Sequence, residues 1–324
     1  MNKLTVMVIP NKLPPYLLHQ ASKYFNVIKL SDVINDSQWF KHQGEQISAI
    51  LTNGIVGASA ELINRLPSLK IIASNGVGYD AIDLAMAQHR KIIVTNTPGV
   101  LNDCVADHAM ALLLDISRRL SESDRYLRGG KWLLQGKFPA GKKIGGKACA
   151  IAGLGNIGRA VARRAEAFGM QIHYFNRTAR QDLPYTFHAD LVSLAQAADY
   201  LVVTLPGGEA TRHLINQQVL DALGPDGYVI NVSRGSTVDE SALVSALQNN
   251  RIAGAALDVF EHEPQVRDEL IAAENVVLTP HIASATQETS KAMADLVIEN
   301  LLAFSRGQAV LTPINFAPGG KDTL

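Results

Sequence analysis

The sequence predicts an α/β protein built from two doubly wound parallel-sheet units. Three observations carry this prediction. Apolar strand-like runs alternate with helical patterns along the 324 residues, the alternation pauses near Thr97-Pro98-Gly99, and a second series resumes at Ala148. Strands joined through helices pair in parallel, and a chain of this length can bury two cores.

The first series places strands at Leu4–Ile9, Val27–Leu30, Ile47–Leu51, Ile71–Ser74 and Ile92–Thr95, with helical stretches at Ala60–Leu66 and Ile82–Gln88. A helix over Asn102–Leu120 follows, with Ala109, Leu112, Leu113 and Ile116 at helical spacing. Residues 129–146 are rich in Gly and Lys and read as an exposed arm. Its aromatics, Trp132 and Phe138, need cover from a partner subunit or from the chain itself.

The second series places strands at Ala148–Ala152, Gln171–Phe175, Tyr200–Thr204, Tyr228–Val232, Ala253–Leu257 and Val276–Leu278, and helices at Ile157–Phe168, Asn216–Leu223 and Glu240–Gln248. A last helix, Gln287–Phe304, is expected to return to the first unit. The expected division is 1–98 with 287–324 against 99–286, with a cleft between them.

Lys and Arg number 30, as do Asp and Glu, so no charge excess favours nucleic acid or anionic membranes. No apolar run approaches the ~18 residues of a membrane helix. Leu4–Ile9, stopped by Pro10, reads as a strand rather than a signal peptide. Two cysteines, Cys104 and Cys149, argue against a disulfide framework and for a reducing cytoplasm. No His/Cys cluster has metal-ligand spacing. His19, His42, His89, His173, His188 and His213 lack a converging motif and read as structural.

Gly153-Leu154-Gly155-Asn156-Ile157-Gly158 follows a strand and opens a helix. Gly153 makes the tight turn, Gly155 admits a pyrophosphate, and Gly158 permits close helix–strand packing. Helix-start N–H groups then face the phosphates. Where an acidic residue would bind a ribose 2′-hydroxyl, the chain has Asn176-Arg177-Thr178. Arg177 would pair with a 2′-phosphate and Thr178 would add a hydrogen bond, so NADPH is expected over NADH. The alternative is an exposed arginine beside an NADH site.

Three polar segments end successive strands at the edge where open α/β sheets bind ligands: Asn231-Val232-Ser233-Arg234-Gly235, Asp258 to Pro264, and Thr279-Pro280-His281-Ile282-Ala283. A guanidinium clamps a carboxylate, an imidazole passes a proton to a carbonyl, and a carboxylate holds the imidazole. Beside a nicotinamide these make a 2-keto acid reductase.

These segments, with Gly76-Val77-Gly78-Tyr79-Asp80, Thr97-Pro98-Gly99-Val100 and Val105-Ala106-Asp107-His108-Ala109, resemble the D-isomer-specific 2-hydroxyacid dehydrogenase family over nearly the whole chain. The turn at Asn176 and the Gly99-Val100-Leu101 region look most like its NADPH-dependent glyoxylate/hydroxypyruvate and hydroxyphenylpyruvate reductases. The resemblance implies a flavodoxin-like substrate domain, a Rossmann dinucleotide domain and a homodimer. It makes His281 the general acid, Glu263 the group that binds the other imidazole nitrogen and favours its charged form, and Arg234 the carboxylate clamp. Asp258 would contact the nicotinamide carboxamide, and the backbone at Val77 and Gly78 would complete the carboxylate site. Further cofactor contacts would come from Val105, Leu205, Pro206 and Thr211, and from Val232, Ser233, Ala283 and Ser284. Asn53 either reaches the substrate or is a plain turn asparagine.

Two functions of different class follow. One is an NADPH-dependent reductase of glyoxylate and hydroxypyruvate, or of larger acids such as hydroxyphenylpyruvate. The other is a non-catalytic nicotinamide sensor, against which Arg234, Glu263 and His281 count. Formate dehydrogenases share the fold but resemble the family with glutamine in place of Glu263.

Overall fold

The structure, a computed structural model, describes residues 3–9 and 13–315. Pro10 and residues 316–324 of the expected first domain lie outside the described residues. The described residues divide into two compact units, one holding those up to 101 and residues 285–315, the other residues 102–284.

The first unit is a five-stranded parallel sheet of β1 (Thr5–Val8), β2 (Asn26–Lys29), β3 (Ala49–Asn53), β4 (Ile71–Asn75) and β5 (Ile93–Thr95), in the order β2-β1-β3-β4-β5. Alternate residues of one strand feed two cores. Val6 and Val8 face Leu17, Ala21, Val297 and Leu301, whereas Met7 joins Ile50, Ile63, Ile72 and Ala87. Leu17 and Ala21 lie on the helix Pro15–Tyr24, which the sequence reading missed. The helix Gln287–Ser305 packs against it and against β4, so the unit is discontinuous in sequence.

The second unit is a seven-stranded parallel sheet of β6 (Ala148–Ala152), β7 (Gln171–Phe175), β8 (Thr186–His188), β9 (Tyr200–Val203), β10 (Tyr228–Asn231), β11 (Gly254–Leu257) and β12 (Val276–Leu278). Its order, β12-β11-β10-β9-β6-β7-β8, reverses direction between β6 and β9. That reversal opens the crevice where doubly wound sheets take dinucleotides. β9 and β11 are buried throughout, as parallel strands covered on both faces must be. β8 is a partly exposed three-residue edge strand, too short and polar for a periodicity signal.

Several helices start on a side chain that accepts an N–H three residues on: Ser59, Asp83, Asp190, Asp239 and Thr286. Each such cap contributes about 1 kcal/mol. The helix Asn156–Ala167 begins differently, on Gly155, with no side-chain cap. The stretch expected as an exposed arm, 129–146, opens on a short helix, Lys131–Gln135, and another helix, Leu120–Arg128, precedes it. Among the described residues no helix is long and apolar enough to cross a membrane.

Candidate active site

The glycine loop sits at the reversal in strand order. Gly153 turns at φ +99°, in the region that disfavours a side chain. A Cβ at Gly158 would overlap the Gly153 carbonyl, so helix and loop meet at a distance only glycine allows. Thr204 Oγ1 donates to that same carbonyl at 2.6 Å. Asn176 is buried, and its Oδ1 accepts the Leu154 N–H at 2.6 Å. It therefore braces the loop, while Arg177 and Thr178 stand exposed beyond it. Capping-free N–H groups at Asn156 and Ile157 and a glycine cradle suit a pyrophosphate.

At the end of β10, Asn231 organises the turn that carries Arg234. Its Oδ1 accepts from the Ser233 backbone at 3.0 Å and from Ser233 Oγ at 2.9 Å. Its Nδ2 donates to the Arg234 carbonyl at 3.1 Å. Next to it, Gly235 lies so close to the Phe260–Glu261 peptide that a Cβ there would overlap the Phe260 carbonyl. The Arg234 turn is thus pressed against the loop that follows β11.

That loop carries two carboxylates with different tasks. Glu263 meets the ring of His281, with Nδ1 3.0 Å and 2.8 Å from its two oxygens, and accepts the Phe260 N–H at 3.2 Å. An ionised carboxylate only accepts, so Nδ1 carries the hydrogen of this contact and Nε2 is the ring's second nitrogen. Asp258 is fully buried. Its Oδ1 accepts from Thr279 Oγ1 at 2.7 Å and the Ile282 N–H at 2.8 Å, and its Oδ2 from the Ala283 N–H at 2.8 Å. His108 Nε2 lies 3.3 Å from Oδ1. The Asp258 carbonyl also accepts the His281 N–H, at 2.8 Å. His281 itself sits at φ +55°, a conformation uncommon for a residue with a side chain and concentrated at functional sites.

Of the other expected cofactor residues, Val105, Leu205, Val232 and Ala283 are buried, Pro206 is exposed and Ser284 is half-buried. The Thr211 hydroxyl donates to the Pro206 carbonyl at 2.7 Å. In the first unit, Asn53 Oδ1 accepts the N–H groups of Ile55 and Val56, both at 2.9 Å, and so orders its own turn. Val77 accepts from Asn96 Nδ2 at 2.8 Å. A Cβ at Gly54 would overlap the Gly78 carbonyl, so the two turns share a close approach.

The sequence assigns no role to His108, Gly235 or Glu240, although the first two lie in segments that it singles out. Glu240 is buried and its Oε1 accepts the Glu261 N–H at 2.6 Å. Burial raises its carboxyl above the usual range despite that donor. A signal for His108 existed: it falls on the stripe of Val105, Ala109 and Leu112, a polar ring on an otherwise apolar helix face. Among the described residues no group of three or more His, Cys, Asp or Glu gathers as for a metal.

A dinucleotide loop at the strand-order reversal, with a carboxylate–imidazole pair and an arginine turn at the adjoining strand ends, defines a nicotinamide-dependent dehydrogenase. The chain belongs to the D-isomer-specific 2-hydroxyacid dehydrogenases: the family model for their NAD binding domain matches residues 110–283. It is 48% identical over 299 residues to glyoxylate/hydroxypyruvate reductase A of Arabidopsis thaliana, covering 92% of this chain and 95% of that one. It is 46% identical to the hydroxyphenylpyruvate reductase of Plectranthus scutellarioides, with the same coverage. Among solved structures, the NADPH-dependent glyoxylate/hydroxypyruvate reductase of Sinorhizobium meliloti, in complex with NADP and malonate, matches at TM-score 0.91 and 43% identity, covering 97% of each chain.

Burial alone would raise the Asp258 carboxyl, but hydrogen bonds from His108, Thr279 and the Ile282 and Ala283 N–H groups hold it below the usual carboxylate range. A depressed acid adds stability above its unfolded pKa and loses it as pH falls through its lower folded value. Asp258→Asn should therefore lower the urea midpoint by an amount that is constant from about pH 8 to about pH 5 and shrinks only below about pH 4. A deficit already gone at neutral pH would contradict this assignment.

Proposed function

We propose that the protein reduces small 2-keto acids, glyoxylate and hydroxypyruvate first, to D-2-hydroxy acids with NADPH. The contact of His281 Nδ1 with Glu263 carries the reading, because it leaves Nε2 to donate a proton. The bound reduced nicotinamide supplies the hydride. Arg234 binds the substrate carboxylate through its planar fork and polarises the ketone. His281 Nε2 gives its proton to the carbonyl oxygen as the carbon gains hydride, and takes one back in the reverse direction. Glu263 offsets the charge on the ring and keeps its orientation. Identity to the Arabidopsis thaliana and Sinorhizobium meliloti reductases supports glyoxylate and hydroxypyruvate.

Val77 and Gly78 are the proposed further carboxylate contacts, in the substrate domain. A larger 2-keto acid is the second reading, favoured by the identity to hydroxyphenylpyruvate reductase. Two free thiols, one of them fully buried, suit a reducing cytoplasm.

The arm supports a homodimer. Trp132, Leu133 and Leu134 are 62%, 91% and 79% exposed, an apolar cluster that calls for a second surface. Phe138 is covered within the chain, by Tyr126 with ring centroids 5.2 Å apart and by Arg119. A second copy of this chain is the proposed cover for the tip.

Three measurements test these readings. His281→Asn should lower kcat for glyoxylate by about 10²–10⁴ while NADPH still binds, and unaltered turnover would remove His281 from the chemistry. Arg177→Ala should raise the KM for NADPH roughly tenfold and leave that for NADH unchanged; a preference that survives intact would make Arg177 a bystander. Leu133→Asp with Leu134→Asp should convert the dimer to monomers in sedimentation velocity, whereas a native monomer would end the interface proposal.

A further inference from the structure

His108 belongs to the helix Asn102–Arg118, which lies against β11 and β12. Its Nε2 is 3.0 Å from Thr279 Oγ1 and 3.3 Å from Asp258 Oδ1. The hydrogen positions follow from donor counting. A threonine hydroxyl has one hydrogen, and at 2.7 Å from Asp258 Oδ1 the Thr279 hydroxyl spends it on the carboxylate. Towards His108 it can only accept, so His108 Nε2 carries a hydrogen and donates to Thr279, leaning towards the carboxylate as well.

The consequence reaches the reacting ring through the backbone. Asp258 receives the N–H groups of Ile282 and Ala283 on its two oxygens, and its carbonyl receives the N–H of His281. Five hydrogen bonds from the segment 279–283 thus converge on Asp258 or its neighbours: these three, Thr279 Oγ1 to Oδ1, and the Thr279 N–H to the Leu257 carbonyl. Between them the chain is bent through the left-handed conformation of His281, at φ +55°. Such a turn persists only where its surroundings over-determine it. A buried carboxylate short of donors is costly, so loss of the His108 donor falls on the group that holds this turn.

We propose that His108 is a positioning residue: with Thr279 it fixes the buried Asp258 carboxylate, and so the turn that presents the His281 ring to Glu263 and the substrate. His108 touches neither Glu263 nor His281 among the contacts described, and acts through Thr279 and Asp258. The inference rests on the reading of His281 as proton donor. It gives Asp258 a task inside the protein beside the carboxamide contact that family resemblance implies for it.

The test compares full-length His108→Leu, His108→Gln and His281→Asn, measuring kcat and KM for glyoxylate and NADPH affinity by fluorescence titration. Glutamine places an amide N–H near the position of Nε2 and should restore the donor. His108→Leu should lose about 10- to 100-fold in kcat, the scale of an ångström-sized misplacement, while KM and NADPH affinity stay within about twofold. His108→Gln should recover most of the loss. Native kcat in His108→Leu overturns the proposal. So does an equal loss of NADPH affinity, which would route the effect through the cofactor, or a glutamine variant as impaired as the leucine one. If His108→Leu fails to fold, Thr279→Val removes the same relay and should show the same kcat-selective loss; native kcat there also overturns it. An inactive His281→Asn with a native His108→Leu refutes the positioning role alone, whereas an active His281→Asn sinks both readings.

Discussion

One buried anion organises the working edge of the seven-stranded sheet. Asp258 leaves the end of β11 and is closed to solvent, so its charge must be met inside the protein. It is met by the backbone of the segment after β12 and by the hydroxyl of Thr279. Satisfying the carboxylate and shaping the His281 turn are therefore the same event. The charge that is expensive to bury secures an otherwise disfavoured backbone conformation.

The loop after β11 divides its labour between two carboxylates. Asp258 holds the backbone of the histidine segment; Glu263 holds the ring. One is enclosed and bound mainly by N–H and O–H donors, the other is partly open and bound to an imidazole. The third element, the Arg234 turn, is brought alongside by absence of a side chain, since Gly235 meets the Phe260–Glu261 peptide where no Cβ fits. Glu240 adds a buried acceptor for the Glu261 N–H. Three strand ends are thereby welded at backbone level before any ligand arrives.

The dinucleotide crevice depends on a similar economy. Reversal of strand order between β6 and β9 opens the space, Gly153 and Gly158 bring helix and strand close, and Asn176 ties the loop to the end of β7. Asn176 thus steadies the loop from the strand beside it. Arg177 and Thr178 stand exposed next to it.

Much of this was legible in the chain. Apolar runs marked eleven of the strands described, most plainly the interior ones, because interior parallel strands are covered on both faces. The glycine spacing and the polar segments after three strands marked the site, because a strand's carboxyl end and a helix's first turn have chemistry independent of context. Edge strand β8 and the helix Pro15–Tyr24 escaped, the first for want of an apolar run, the second because its buried face is small. What only tertiary structure decided was the use of side chains whose partners lie far along the sequence. Asn176 serves the glycine loop, Asp258 the histidine segment, and His108 a hydroxyl just past the end of β12. Residue type and spacing determine which groups can donate or accept; which partner each one meets is settled by packing, which joins Asn176 to Leu154, Asp258 to Ala283 and His108 to Thr279 across breaks in the sequence.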